Sequence, residues 1–147
     1  MKQIHGEQMI RLSIADFMLF GEACVWLTLA SFLRIAVPFK WYVPLFGRLQ
    51  KEGLPEPEGE KDKEIAAVAQ AISRGSRYLP LACRCLVQAM AAKTMLRIRK
   101  RKSVVFIGVA KDDKNELVAH AWVRCGKFYV CGAREKRGHT IIAIYSE

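Results

Sequence analysis

SVVFIGVAKDDKNELVAHAWVRCGKFYVC (103–131), followed after a short gap by TIIAIY (140–145), decides the fold. Apolar and polar residues alternate through SVVFIGVA (103–110), LVAHAWVR (117–124), KFYVC (127–131) and TIIAIY, and a period of two belongs to half-buried β-strands. The polar DDKN (112–115) and the pair Cys125-Gly126 break the alternation. Connections this short join antiparallel neighbours. Taking Cys125-Gly126 as a tight two-residue turn pairs Arg124 with Lys127 and puts Cys131 opposite His120.

Upstream of these strands the period becomes helical. Ile65, Val68, Ala69 and Ile72 share one helical face, Asp62 can cap the start, and Gly75 can end the helix in a left-handed conformation. A second helix is expected from near Pro80 to about Arg97, with Leu86, Val87, Met90 and Ala91 on its buried side. Pro38, Pro44 and Gly47 break up the region before, and GLPEPEG (53–59) has the composition of an exposed linker. The expected organisation is an apolar helical segment over 1–50, a linker over 51–61 and a core over 62–147. The fold class is α+β, with helices packed on an antiparallel sheet.

At 147 residues, 52% of them hydrophobic, the chain can bury one compact core and is too short for two full-sized domains. Whole-chain disorder is excluded by composition. Five cysteines, an odd number, with no export signal ahead of them argue against a disulfide framework and for a reducing, cytoplasmic setting.

Residues 17–33 (FMLFGEACVWLTLASFL) approach the roughly 20 apolar residues that span a bilayer. Glu22 interrupts them, which favours a helix packed within the protein or on a partner, or one lying on a membrane surface, over an integral span. The net charge of +10 is unevenly spread. Eight Lys/Arg balance nine Asp/Glu over residues 1–65, whereas sixteen face five over 66–147. Six of the ten residues in KTMLRIRKRK (93–102) are basic. Such a run suits an acidic partner, or else a solvated helix end where cations meet the negative pole of the dipole.

Cys85 falls in the first turn of its expected helix, beside Arg84, where unsatisfied amides and the helix dipole stabilise an anion. His120 falls mid-strand between Ala119 and Ala121, small neighbours that leave room for a substrate backbone. A thiol and an imidazole so placed can act as nucleophile and general base, and a helix-borne cysteine facing a strand-borne histidine is the arrangement of papain-like and transglutaminase-like enzymes. Gln88, one turn after Cys85, is a candidate oxyanion donor, and Trp122, on the strand face of His120, a candidate site wall. Against these stand plain core and surface roles for all four residues. Two other classes compete: a zinc module of Cys83, Cys85, Cys125, Cys131 and His120, whose spacings lack the paired-knuckle form, and a nucleic-acid binder built on residues 93–102, which carry no interleaved aromatics.

SRYLPLACRCLVQAMAAKTMLRIRK (76–100), FIGVAKDDKNELVAHAWVRCGKFYVCG (106–132) and TIIAIY (140–145) together resemble the stand-alone, transglutaminase-like leader peptidases of lasso-peptide biosynthesis. The resemblance implies a cysteine protease with Cys85 as nucleophile and His120 as base, needing neither cofactor nor metal, and a structural role for Cys83. It implies as partners a lasso precursor peptide, a separate leader-recognition protein and an ATP-dependent cyclase, with residues 1–50 and the basic run as docking surfaces. The family's orienting aspartate is missing, its place being taken by Gly132. Asp113, Glu116 and Glu135 are the nearest acids, none convincingly placed.

Overall fold

The computed structural model describes residues 13–51, 63–80, 84–134 and 137–147. Cys83, Glu135, Asp62 with its capping role and the linker motif at 53–59 lie outside them. Helix α1 (Ile14–Ala36) leads through a single turn, α2 (Phe39–Tyr42), and a 3-10 turn (Val43–Phe46) to the short strand β1 (Arg48–Leu49). Helices α3 (Lys63–Tyr78) and α4 (Cys85–Ile98) follow, then β2 (Val104–Lys111), β3 (Leu117–Cys125), β4 (Phe128–Cys131) and β5 (Thr140–Ser146). The five strands form one antiparallel sheet in the order β1-β5-β2-β3-β4. This is the expected α+β class; β1 is an addition that no two-residue pattern could announce.

Helix α1 starts at a capping box, in which the Ser13 hydroxyl accepts from the Asp16 amide and the Asp16 carboxylate accepts from the Ser13 amide. Its inner side, Ala23, Leu27 and Ala30, joins Val68 and Ile72 of α3, Val87, Met95 and Leu96 of α4, and Val105, Ala121 and Val123 of the sheet in one core. Fully burying a side chain such as Leu27 contributes about 2 kcal/mol. Gly75 does not end α3 as expected: the helix runs on to Tyr78. Its backbone instead packs against Leu27, where an added Cβ would stand 2.7 Å from a Leu27 methyl. The outer side of α1 exposes Ile14, Phe17, Met18, Val25, Leu29, Phe32 and Ile35.

Four of the six cations in 93–102 are engaged by the protein's own groups. Lys93 is 1% exposed; its ammonium donates to the Ser103 carbonyl at 2.7 Å and pairs with Glu147 at 3.2 Å. Arg97 reaches Glu147 and donates to the Leu45 carbonyl. Arg99 forms a two-pronged pair with Glu22 of α1, and Arg101 bonds Glu64 of α3. The run therefore ties the end of α4 to α1, α3 and the C-terminus, and the docking surface expected of it is reduced to the exposed Lys100 and Lys102.

Burial pushes the Lys93 ammonium below the ordinary lysine value of 10.5, against the opposing pull of Glu147. Folded Lys93 thus gives up its proton at lower pH than unfolded Lys93. Between the two values the unfolded chain binds more protons, so this group makes the fold more stable as pH rises toward 10.5. Lys93→Met is expected to remove that upward slope, measured as the difference between wild-type and variant urea stability across the alkaline range. Parallel curves would show that Lys93 holds an ordinary affinity for its proton.

Candidate functional site

The chain places Cys85 at the first position of α4, after Arg84 in extended conformation, which has no side-chain capping bond. The amides of the first turn are therefore left to whatever lies at Cys85. The Cys85 sulfur lies 3.9 Å from the Ala119 carbonyl of β3, one residue from His120. Cys85, Leu86, Phe39, Ile107, Ala119, His120 and Ala121 line one cavity of about 280 Å³.

The open edge of β3 explains how two elements meet there. Strand β4 pairs with β3 only between Val123 and Cys125, so among the described residues Leu117–Ala121 pairs with β2 on one side and with no strand on the other, which is called its open side. The Ala121 carbonyl faces the open side, against Gly132, which follows β4. Carbonyls two apart on a strand point the same way, so the Ala119 oxygen and the sulfur beside it belong to that open side too.

Alternation on β3 sends Ala121, Val123 and Cys125 into the helical core and His120 and Trp122 to the opposite face. Trp122 stacks on Phe106 of β2 at 5.9 Å, and the Arg124 guanidinium lies over that Phe106 ring. His120 thus leaves the strand on the face opposite the helical core, yet it borders the same cavity as Cys85, and no hydrogen bond joins the two in this conformation. The Nδ1 of His120 is buried without a hydrogen-bond partner. An unpaired buried nitrogen costs about 1–3 kcal/mol.

The turn between β3 and β4 differs from expectation. Cys125 pairs with Phe128 across Gly126 and Lys127, Gly126 having φ 57°, and a bulge between Val123 and Arg124 brings Cys131 opposite Val123 instead of His120. Gly132 has φ 74° and lies against the β3 backbone. No carboxylate comes from it.

The residue nearest the imidazole on its outer side is His139, in the loop before β5, whose ring stands edge-to-face with that of His120 at 4.6 Å and 78°. No pattern pointed to it: the loop is irregular, and its only signal was a third histidine among three. Gln88 lines a different cavity of about 340 Å³, with Ser73, Arg77, Tyr129 and Arg134, so it stands off the wall shared by Cys85 and His120. Trp122 likewise packs behind the pair, 6.4 Å from the His139 ring, instead of forming the cavity wall.

The zinc alternative finds no support in this arrangement. Cys125 is buried with its thiol on the Lys102 carbonyl, Cys131 lies opposite Val123, and among the described residues no three His, Cys, Asp or Glu side chains gather where a metal ion could be held. Of the cations on which the nucleic-acid alternative was built, Lys93, Arg97, Arg99 and Arg101 are engaged in ion pairs.

A helix that opens on a cysteine and packs on an antiparallel sheet, with a histidine on the strand beside that cysteine, agrees with the one family comparison that matches. The model described as transglutaminase-like superfamily covers residues 32–143, more than two thirds of the chain, from the last turns of α1 into β5. No curated protein and no solved structure matches. The chain belongs to the transglutaminase-like superfamily.

Proposed function

We propose that this protein is a cysteine endopeptidase that removes the leader from a lasso-peptide precursor, with Cys85 as nucleophile and His120 as general base and acid. One observation carries the reading: the thiol at the head of α4 and the imidazole of β3 border a single cavity at an open strand edge, in a chain whose superfamily fits cysteine-protease chemistry. The motifs over 76–145 support the choice of substrate by resemblance.

An extended peptide pairing with the free edge at Leu117–Ala121 would bring its scissile carbonyl between the two groups. As the peptide seats in the cavity that both groups border, the gap between Cys85 and His120 closes and the imidazole takes the thiol proton. Catalytic contacts of this kind are often long before substrate binds and tighten with it. The sulfur then attacks the carbonyl carbon, first-turn amides of α4 hold the oxyanion, and the imidazolium protonates the leaving amine. Water, deprotonated by the same imidazole, releases the acyl group and restores the thiol.

The test is mass spectrometry of a cognate precursor incubated with a separate leader-recognition protein and this chain. One cut at the leader–core junction is expected. An intact precursor with the recognition protein present and folded wild-type chain would defeat the substrate assignment.

An ATP-dependent cyclase would act on the freed amine, and the setting proposed is the cytoplasm. The outer side of α1 is proposed as the docking surface, for the recognition protein or a membrane. The helix is long and apolar enough to cross a bilayer, yet Ala23, Leu27 and Ala30 are committed to the core. Deleting residues 1–50 would therefore unfold the chain instead of testing the surface. Leu29→Ser with Phe32→Ser changes only exposed positions. This double variant is expected to keep its thermal midpoint and lose at least tenfold in recognition-protein-dependent cleavage, or in pelleting with anionic vesicles. Retention of both would remove the docking role.

A further inference from the structure

We infer that His139 is a positioning residue for His120, standing where the orienting acid would act; the inference rests on the protease reading of the site. Three features build the arrangement. The ring of His139 meets that of His120 edge-to-face at 4.6 Å, a contact that aromatic rings favour by about 1 kcal/mol beyond their burial and that restricts rotation of either ring. His139 does not line the cavity shared by Cys85 and His120. It therefore meets the imidazole outside that lining, where it can hold the ring without filling the space left for substrate.

The second feature is Gly108 of β2, the strand partner of His120. A Cβ there would stand 2.6 Å from the Trp122 ring and 3.2 Å from the His139 Cβ. The absence of a side chain at residue 108 is what admits the His139 ring to this face of the sheet. The third is that no described acid bonds the imidazole. Gly132 has no room for an acid. Asp112, at the β2–β3 turn, accepts from the amides of Lys114 and Glu116, and no hydrogen bond from any described group reaches the buried Nδ1 of His120. Among the described residues it is ring packing that orients His120, and His139 is the ring that packs on it.

His139 is itself tied to its loop. Its Nδ1 lies 3.4 Å from the Arg137 carbonyl, a contact that favours a proton on Nδ1 and leaves the lone pair on Nε2. Trp122 is the other ring within reach on this face.

The test compares His139→Ala with His139→Phe, which keeps a ring and removes the nitrogens. In the precursor cleavage assay His139→Ala is expected to lower kcat by about 10- to 100-fold with KM within about twofold, and His139→Phe to recover most of that loss. The ring nitrogen and carbon resonances of His120, followed by NMR, are expected to move in His139→Ala and to return toward wild type in His139→Phe. Unchanged kcat in His139→Ala, or an equal loss in both variants, overturns the inference. If the wild-type chain cuts no precursor, the protease reading has failed, and the His120 resonances alone then decide whether His139 holds the ring. Identical resonances in wild type and His139→Ala would refute it.

Discussion

Cys85→Ala is expected to lower precursor cleavage on the order of 10³-fold or more in kcat while leaving precursor affinity and the unfolding midpoint close to wild type. The size follows from the role. A nucleophile makes a bond in the transition state that no neighbouring group replaces, whereas the methyl group left by alanine fits the half-buried first position of α4 without creating a large cavity. His120→Ala is expected to fall as far, and the double variant no further, because thiol and imidazole act as one unit. A variant pair whose losses multiply would mean that His120 acts on something other than Cys85. Cleavage that survives in Cys85→Ala and disappears in Cys131→Ala would move the nucleophile to another thiol.

Gly132→Asp, the change that would restore an acid at the place the resemblance assigns to it, is expected to unfold the protein instead of improving it. Two independent penalties meet there. Residue 132 has φ 74°, a conformation that an L side chain adopts only with strain. Its Cβ would stand 2.5 Å from the Trp122 Cβ, 2.7 Å from the Ala121 carbonyl oxygen and 2.9 Å from the Trp122 Cα. Two of these are backbone atoms of β3, which cannot step aside without breaking the strand that carries His120. Together the strain and the overpacking amount to at least about 3 kcal/mol, read as a fall in the midpoint of urea or thermal unfolding. Gly132→Ala should show most of the loss, since the clash is already complete at Cβ. Stability equal to wild type in either variant would mean that the chain after β4 runs elsewhere.

What could be read from residues alone was whatever depends on local periodicity. The alternation in VVFIGVA and LVAHAWV has one physical cause, a strand with one face in the core, and it located β2 and β3 to within a residue or two. The pairing of β4 could not be read that way. Cys125-Gly126 and Gly126-Lys127 are both acceptable turns, and the choice is made by the fit of Gly132 against Trp122 and by the bulge at Val123 and Arg124, both tertiary matters. The shifted turn and the bulge together move the partner of Cys131 three residues along β3, from His120 to Val123.

Charge was misleading for a similar reason. Six cations in ten residues look like a surface until their partners are known. Glu22, Glu64 and Glu147 are distant in sequence and come to the end of α4 only through the fold. Gly75 sits in the same class: a glycine near a helix end suggests a stop, yet here it lets α1 and α3 approach. Of the site, Cys85 and His120 were found because each stands at a regular position, a helix start and a strand centre. His139 was not, because an irregular loop has no period to betray it.

The central claim is that Cys85 is a nucleophile whose reactivity depends on His120. The most direct measurement is the rate and position of capture by a chloromethyl ketone peptide copied from the leader side of a precursor junction, located by tandem mass spectrometry. The expected result is a single adduct on Cys85 in the wild-type chain, formed at least tenfold more slowly in His120→Ala. An adduct on Cys83 or Cys131, or one on Cys85 that forms as fast without the imidazole as with it, would contradict the claim.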